Sequence, residues 1–241
     1  MTSFFRLFFL LDIILIRSIQ AEAQPLFHGS RTEKKIALTF DACPSFTHGG
    51  FDERIVRTLI DSGVPATFFL SGKWIVKHRN AVKKLASIQE FELGNHSYSH
   101  PHCTTISDDS LRRELERTEF LLNSIAGTSS KLFRPPYGET DQRVEAVAKN
   151  IGLTTVMYDL ASGDPDSAIT RERLVHFVVT SVRNGSIIVM HVNGRGWHTA
   201  EALPAIIQTL RAKGYSFSKV SELVRRKGSA RESSNDRVIS R

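Results

Sequence analysis

Short β-branched and aromatic runs alternate with amphipathic helical stretches along most of this chain, and that alternation restricts its fold more than any other feature. Lys35 to Asp41 (KIALTFD) is apolar enough to be a strand covered on both faces. Phe51 to Ser62 follows with Ile55, Val56, Leu59 and Ile60 on one helical stripe, ended by Gly63 and Pro65. Ala66 to Ser71 predicts the second strand, and a helix then runs to about Ile88. Further strands are predicted at Phe91 to Asn95, Lys131 to Arg134, Thr154 to Leu160, Ser186 to Val192 and Tyr215 to Val220. Between them lie helices that Ser107, Asp141, Thr170 and Thr199 can cap. The clearest is Ser107 to Ile125, with Leu111, Leu115, Thr118, Leu122 and Ile125 along one face and Gly127 as a stop. Consecutive β/α units imply a parallel sheet, because parallel strands need crossover connections. No G-x-G-x-x-G follows the first strand, so a dinucleotide fold has no support. The expectation is a single α/β domain, a barrel of seven parallel strands, with its chemistry at the C-terminal strand ends.

The two ends of the chain read differently from this body. Residues 1–23 hold a basic start, an apolar run from Leu7 to Ile16 broken by Asp12, and Ala21-Glu22-Ala23, a small-x-small cleavage pattern. We expect a signal peptide there and an exported, periplasmic or extracellular mature protein, since the run is short for a bilayer span. The net charge is +7, but residues 225–241 hold six basic and two acidic residues, leaving the body mildly basic. That weakens a nucleic-acid reading, which wants a basic stripe on a folded face. The tail is expected to be disordered, with the barrel domain occupying residues 24–224. Cys43 and Cys103 are either two buried thiols or one bridge, which export would permit.

The residues with catalytic character fall at predicted strand ends. Asp41 ends the first strand, His96 and His100 follow the third, Arg134 ends the fourth, Asp164 lies past the fifth, and His191 ends the sixth. Two imidazoles four residues apart reach one metal ion from a single helical turn. The competing reading is a pair of solvated loop histidines. Asp41 reads as a general base or as a turn aspartate, and Arg134 favours the base by holding a carboxylate ionised in an ion pair. His191 reads as a proton donor at the rim or as a core histidine; Asp164 could orient its ring and raise its pKa.

Thr39-Phe40-Asp41, His96-Ser97-x-x-His100, Arg134-Pro135-Pro136-Tyr137, Asp164 and Val189-x-His191 resemble, in order, the five motifs of the polysaccharide deacetylases. This is the NodB homology domain, carbohydrate esterase family four, and the likeness spans about residues 34–222. The resemblance implies a distorted (β/α)7 barrel that removes acetyl groups from N-acetylated carbohydrate, such as peptidoglycan or a GlcNAc polymer, with a divalent metal (zinc, with cobalt or another divalent ion as the alternative). It implies Asp41 as base, Arg134 as its brace, and His96 and His100 as metal ligands. It further implies the Tyr137 backbone N–H at the oxyanion, Asp164 as tuner of His191, and His191 as acid. Three positions depart from the family pattern. The second aspartate of the first motif, a metal ligand, is Ala42 here, with Cys43 and His48 as substitute candidates ranked below two histidines plus water. The tryptophan after the fourth-motif aspartate is Pro165, and the leucine of the last motif is Val189; Trp197 could supply a sugar-stacking platform. Ala42 also motivates a different class, a catalytically impaired carbohydrate-binding protein on the same fold, and a hydrolase of other linear amides is the remaining enzymatic alternative.

Overall fold

The computed structural model describes residues 24–44 and 50–225. The expected leader, nearly all of the basic tail and His48 lie outside the described residues. Eight strands and eight helices alternate: β1 Lys35–Ala42, α1 Glu53–Asp61, β2 Ala66–Leu70, α2 Gly72–Lys77, α3 Arg79–Ala86, β3 Phe91–Asn95, α4 Asp108–Ala126, β4 Leu132–Phe133, α5 Gln142–Asn150, β5 Thr154–Thr155, β6 Leu160–Ala161, α6 Arg171–Ser181, β7 Ile187–His191, α7 Thr199–Ala212, β8 Ser216–Phe217 and α8 Val220–Leu223. Seven strands form one curled parallel sheet in the order β5-β4-β3-β2-β1-β7-β6, and β8 pairs with the start of β1. This is the expected parallel α/β architecture.

β1 lies inside the sheet, between β2 and β7, and is buried on both faces. Its even-numbered side chains, Ile36, Leu38, Phe40 and Ala42, pack outward into the main core with Ile55, Val56, Leu59 and Trp74 of the helices. Its odd-numbered side chains point into the barrel, where Ala37 meets Phe69, Leu132, Val156 and Ile187. Asp41 belongs to this inner row and stands beside His191 in the β1–β7 register. The strand period therefore delivers two polar residues to the same end of the barrel.

Ser107, Asp141 and Thr170 each accept a backbone N–H of the first helical turn, and Gly127 closes α4 in the left-handed conformation at φ 67°. The five apolar-face residues of α4 are all buried. Four expectations need correction. Ile60 is exposed, so the α1 stripe is narrower than its sequence pattern. The helix expected to run to Ile88 is two helices, divided at His78. Thr199 does not cap α7; it is the first helical residue, and its hydroxyl is committed elsewhere, as described below. The strand expected at Thr154 to Leu160 is split into β5 and β6, which lie at opposite edges of the sheet.

The split has a physical cause. Between β5 and β6 the chain crosses the open seam of the barrel, and the N-terminal segment stitches that seam. Leu26 donates to Thr155 O at 2.9 Å and accepts from Met157 N–H at 2.8 Å, while His28 forms a bridge to Ser186. The Asp159 carboxylate then replaces ladder bonds: it accepts from Ile187 N–H, Ser186 Oγ and Arg31 Nη2 at 2.8–3.0 Å. Asp159→Ala leaves those donors without a partner, and a loss of about 2 kcal/mol in a denaturant melt is expected. Asp61→Ala, at the exposed end of α1, is the control and should stay within about 0.5 kcal/mol.

Candidate active site

Asp41, His96, His100, Tyr137, Asp164 and His191 line a single cavity of about 200 Å³ at the C-terminal ends of the strands, together with Cys43, Tyr158, Pro165, Val189 and Arg195. The floor is a buried ion pair. Arg134 is fully buried, and its Nη1 donates to Asp41 Oδ1 at 2.8 Å and to Thr39 Oγ1 at 2.7 Å; Nη2 donates to Met157 O. Its guanidinium lies over the Phe69 ring at 4.1 Å. Burial alone would raise the pKa of Asp41, but the Arg134 guanidinium beside it, with its charge and its hydrogen bond, outweighs that and holds the carboxyl below its usual range. Asp41 is therefore an ionised carboxylate with one oxygen fixed by Arg134 and the other, Oδ2, 3.8 Å from His96 Nε2.

His96 donates from Nδ1 to Arg134 O at 2.7 Å, which leaves its Nε2 lone pair facing the cavity. The two histidine rings lie 4.9 Å apart, centroid to centroid. They do not share a helical turn. The segment is a tight loop in which Ser97 and His100 adopt positive φ values of 59° and 65°, a conformation that costs energy for residues other than glycine. Glu114 of α4 holds it there. Its carboxylate accepts from Tyr98 N–H, Ser99 N–H and Ser99 Oγ at 2.6–2.9 Å. Asn95 Oδ1 takes Ser97 N–H at 2.9 Å. Burial, and then the neighbouring His96, depress the His100 pKa to about 3; burial likewise lowers that of His96. Both imidazoles are thus neutral, the state a metal requires of them.

On the neighbouring strand end of β7, His191 Nδ1 donates to Asp164 Oδ1 at 2.9 Å, and its backbone N–H donates to Asp164 Oδ2 at 2.8 Å. Asp164 is buried and also accepts Ser162 Oγ and Thr199 Oγ1, the latter at 2.6 Å. Burial disfavours the His191 imidazolium, but the Asp164 carboxylate overcomes it, and the pKa is raised. Gly196 is required beside this network, because a Cβ there would lie 2.6 Å from Asp164 Oδ2 and collide with Thr199 Oγ1. Trp197 is exposed, and its backbone N–H donates to Asp164 O; its ring is not part of the cavity wall. Tyr137 stands at the rim at φ 60°, with His102 stacked on its ring at 4.0 Å and Glu139 bonded to His102.

Cys43 and Cys103 are both buried free thiols, so the bridge is ruled out and the alternative of two thiols holds. Cys43, His96 and His100 place their ligand atoms within 4.8 Å of one another, a set able to hold a divalent cation. Without a cation, burial and then the Asp41 charge push the Cys43 thiol up to about 11. Sequence reasoning missed Glu114, Tyr158, Ser162 and Arg195, which carry no catalytic signature in isolation, and gave Thr39 a place in a motif but no role. The spacing of Glu114 from the histidine loop is a weak signal that only the packing of α4 makes legible.

The profile of the polysaccharide deacetylase family matches residues 28–156 of this chain. A peptidoglycan-N-acetylglucosamine deacetylase of Bacillus cereus is 32% identical over 194 residues, covering 79% of this chain and 68% of that protein. The structure of the Bc1960 peptidoglycan N-acetylglucosamine deacetylase aligns with TM-score 0.76 and 30% identity, over 83% of this chain and 92% of that one. A CE4 family pseudoenzyme from Bacillus anthracis aligns with TM-score 0.76 and 28% identity, over 83% of this chain and 69% of that one. A mutant of that pseudoenzyme with restored enzymatic activity aligns equally well, at 29% identity over 83% of this chain and 71% of that one. The chain belongs to the polysaccharide deacetylase family.

Because Asp41 is the carboxylate partner of a fully buried guanidinium, Asp41→Asn should do more than remove a reactive group. A loss of about 3 kcal/mol in a denaturant melt is expected, as for other broken buried pairs. Pairing it with Arg134→Met removes the orphaned charge and should recover most of that loss; equal stability of the wild type and Asp41→Asn would show that the pair is not holding the floor.

Proposed function

We propose that the protein is an exported, metal-dependent hydrolase that removes acetyl groups from an N-acetylated carbohydrate, with peptidoglycan or another GlcNAc polymer as the substrate class. The observation that carries this reading is an ionised Asp41 and a carboxylate-backed His191, register neighbours on β1 and β7, lining one cavity with paired neutral imidazoles. Amide hydrolysis requires that arrangement: a base for the attacking water, stabilisation of the oxyanion, and a proton for the departing nitrogen. The expected leader at residues 1–23 supports export, since such polymers lie outside the membrane.

His96 and His100 would hold the divalent cation; when bound, it supplies Lewis-acid polarisation of the acetyl carbonyl and a lowered pKa for the attacking water. Asp41 takes the proton from that water as its oxygen attacks the acetyl carbon. Arg134 keeps Asp41 ionised and fixes its orientation. The Tyr137 N–H donates to the developing oxyanion. His191, protonated because Asp164 stabilises its charge, delivers a proton from Nε2 to the nitrogen as the C–N bond breaks. Acetate and a free amine leave. The stacked Tyr137 and His102 rings offer a rigid face for the sugar.

A second reading is a binding protein with little turnover. Ala42 and the existence of a pseudoenzyme on this fold favour it. Acetate release from N-acetylated glycans, with and without Zn²⁺ and a chelator, separates the two: metal-dependent release supports the enzyme, and binding without release supports the alternative.

The acid step has its own signature. The rate should fall as pH rises through the elevated pKa of His191, because the acid must be protonated. Asp164→Asn removes the stabilising charge, so the falling limb is expected at lower pH and turnover about 10²–10⁴-fold down. An unmoved limb would assign the proton to another group.

A further inference from the structure

The step from Asp41 into the cavity is made by residue 43, not by residue 42. Ala42 is the last residue of β1, and its methyl group is buried in the outward-facing core with Phe40, Ile55 and Trp74. Cys43 follows the end of the strand and lines the cavity. Its backbone carbonyl is tied by Asn193 Nδ2 at 2.6 Å, and the preceding carbonyl, of Ala42, accepts from Ser71 Oγ at 2.9 Å. Its thiol shares with His96 and His100 a cluster whose ligand atoms lie within 4.8 Å of each other, the one such group among the described residues. Tetrahedral zinc with ordinary Zn–S and Zn–N bonds spaces its donors by roughly 3.5 Å, so the cluster is near that size.

We propose that Cys43 is a third protein ligand to the divalent cation, making a Cys-His-His centre selective for zinc-like ions. The proposal deepens the reading given above by naming the ligand set of the same site. Four observations agree with it. Cys43 is fixed through its own backbone and His96 through its ring, as metal ligands commonly are. His100 is held in a strained loop by Glu114 through its neighbours. Asp41 is already committed to Arg134 through one oxygen and to the base role through the other, which leaves the anionic ligand to another group. A thiolate brings one negative charge, as a carboxylate would, and its proton passes to solvent on coordination. Thiolate with two imidazoles suits Zn²⁺ and Co²⁺ and disfavours Mg²⁺ and Ca²⁺, which take oxygen donors.

The test uses the full chain stripped with chelator and reloaded with Co²⁺. One cobalt per chain with a thiolate-to-cobalt absorption band in the near ultraviolet is expected. Cys43→Ser should lose the band and weaken Zn²⁺ binding more than about tenfold in a chelator competition. Cys43→Asp should bind cobalt without the band, which guards against misfolding as the cause of loss, and Cys103→Ser should retain the band. Cobalt bound to the wild type with no thiolate band overturns the proposal, as does a band that survives in Cys43→Ser or a failure of the wild type to bind cobalt. Acetate release is measured on the same samples. A thiolate band without acetate release leaves the ligand assignment standing and removes the deacetylase reading; acetate release without the band does the reverse.

Discussion

A guanidinium with no access to water organises this molecule. Arg134 lies at the cavity floor, and among the described residues the Asp41 carboxylate is the one that pairs with it there. Three consequences follow from that one pair. Asp41 stays ionised despite its burial. The Arg134 carbonyl, positioned with the side chain, fixes the tautomer and direction of His96. The inner row of β1 is committed to polar residues, Thr39 and Asp41, where an ordinary barrel would be filled with aliphatic ones. A buried ion pair is a weak source of stability. Its retention here suits a site that needs a charge held in one place.

The two sides of the cavity are built on different plans. The histidine side is a strained loop clamped by a glutamate from a neighbouring helix. The His191 side is a strand end backed by a buried carboxylate that accepts Ser162, Thr199 and the His191 ring and backbone. Opposed electrostatics result from these plans. The loop imidazoles are kept neutral by burial, while the strand imidazole is kept chargeable by its aspartate. Chemically similar side chains are sorted into ligands and acid by what stands behind them.

Much of this was legible in the residues, and the failures have identifiable causes. The β/α alternation predicts the parallel sheet, since the central strands β1, β2 and β7 are covered on both faces and read as apolar runs. Three of four helix caps and the α4 face hold because they depend on near neighbours. Thr199 failed as a cap because a longer-range partner, Asp164, competes for its hydroxyl. The break between β5 and β6 is invisible in the local pattern, for it depends on Leu26 and Asp159 closing the seam from elsewhere. His96 and His100 were placed together for the wrong geometric reason: a left-handed loop, not a helical turn, unites them. Cys43 was ranked low because strand period alone does not say where a chain leaves its sheet.

The stitched seam bears on the order in which the chain assembles. Leu26 and His28 stand at the front of the described polypeptide, yet their partners are Thr155, Met157 and Ser186. Local units such as α4 can form as soon as their own residues exist, whereas this contact must wait for well over half the chain. Sealing is therefore a late, long-loop event, and a nascent fragment stopping before Ser186 lacks β7 and retains an open edge at β1, to which other strands can add.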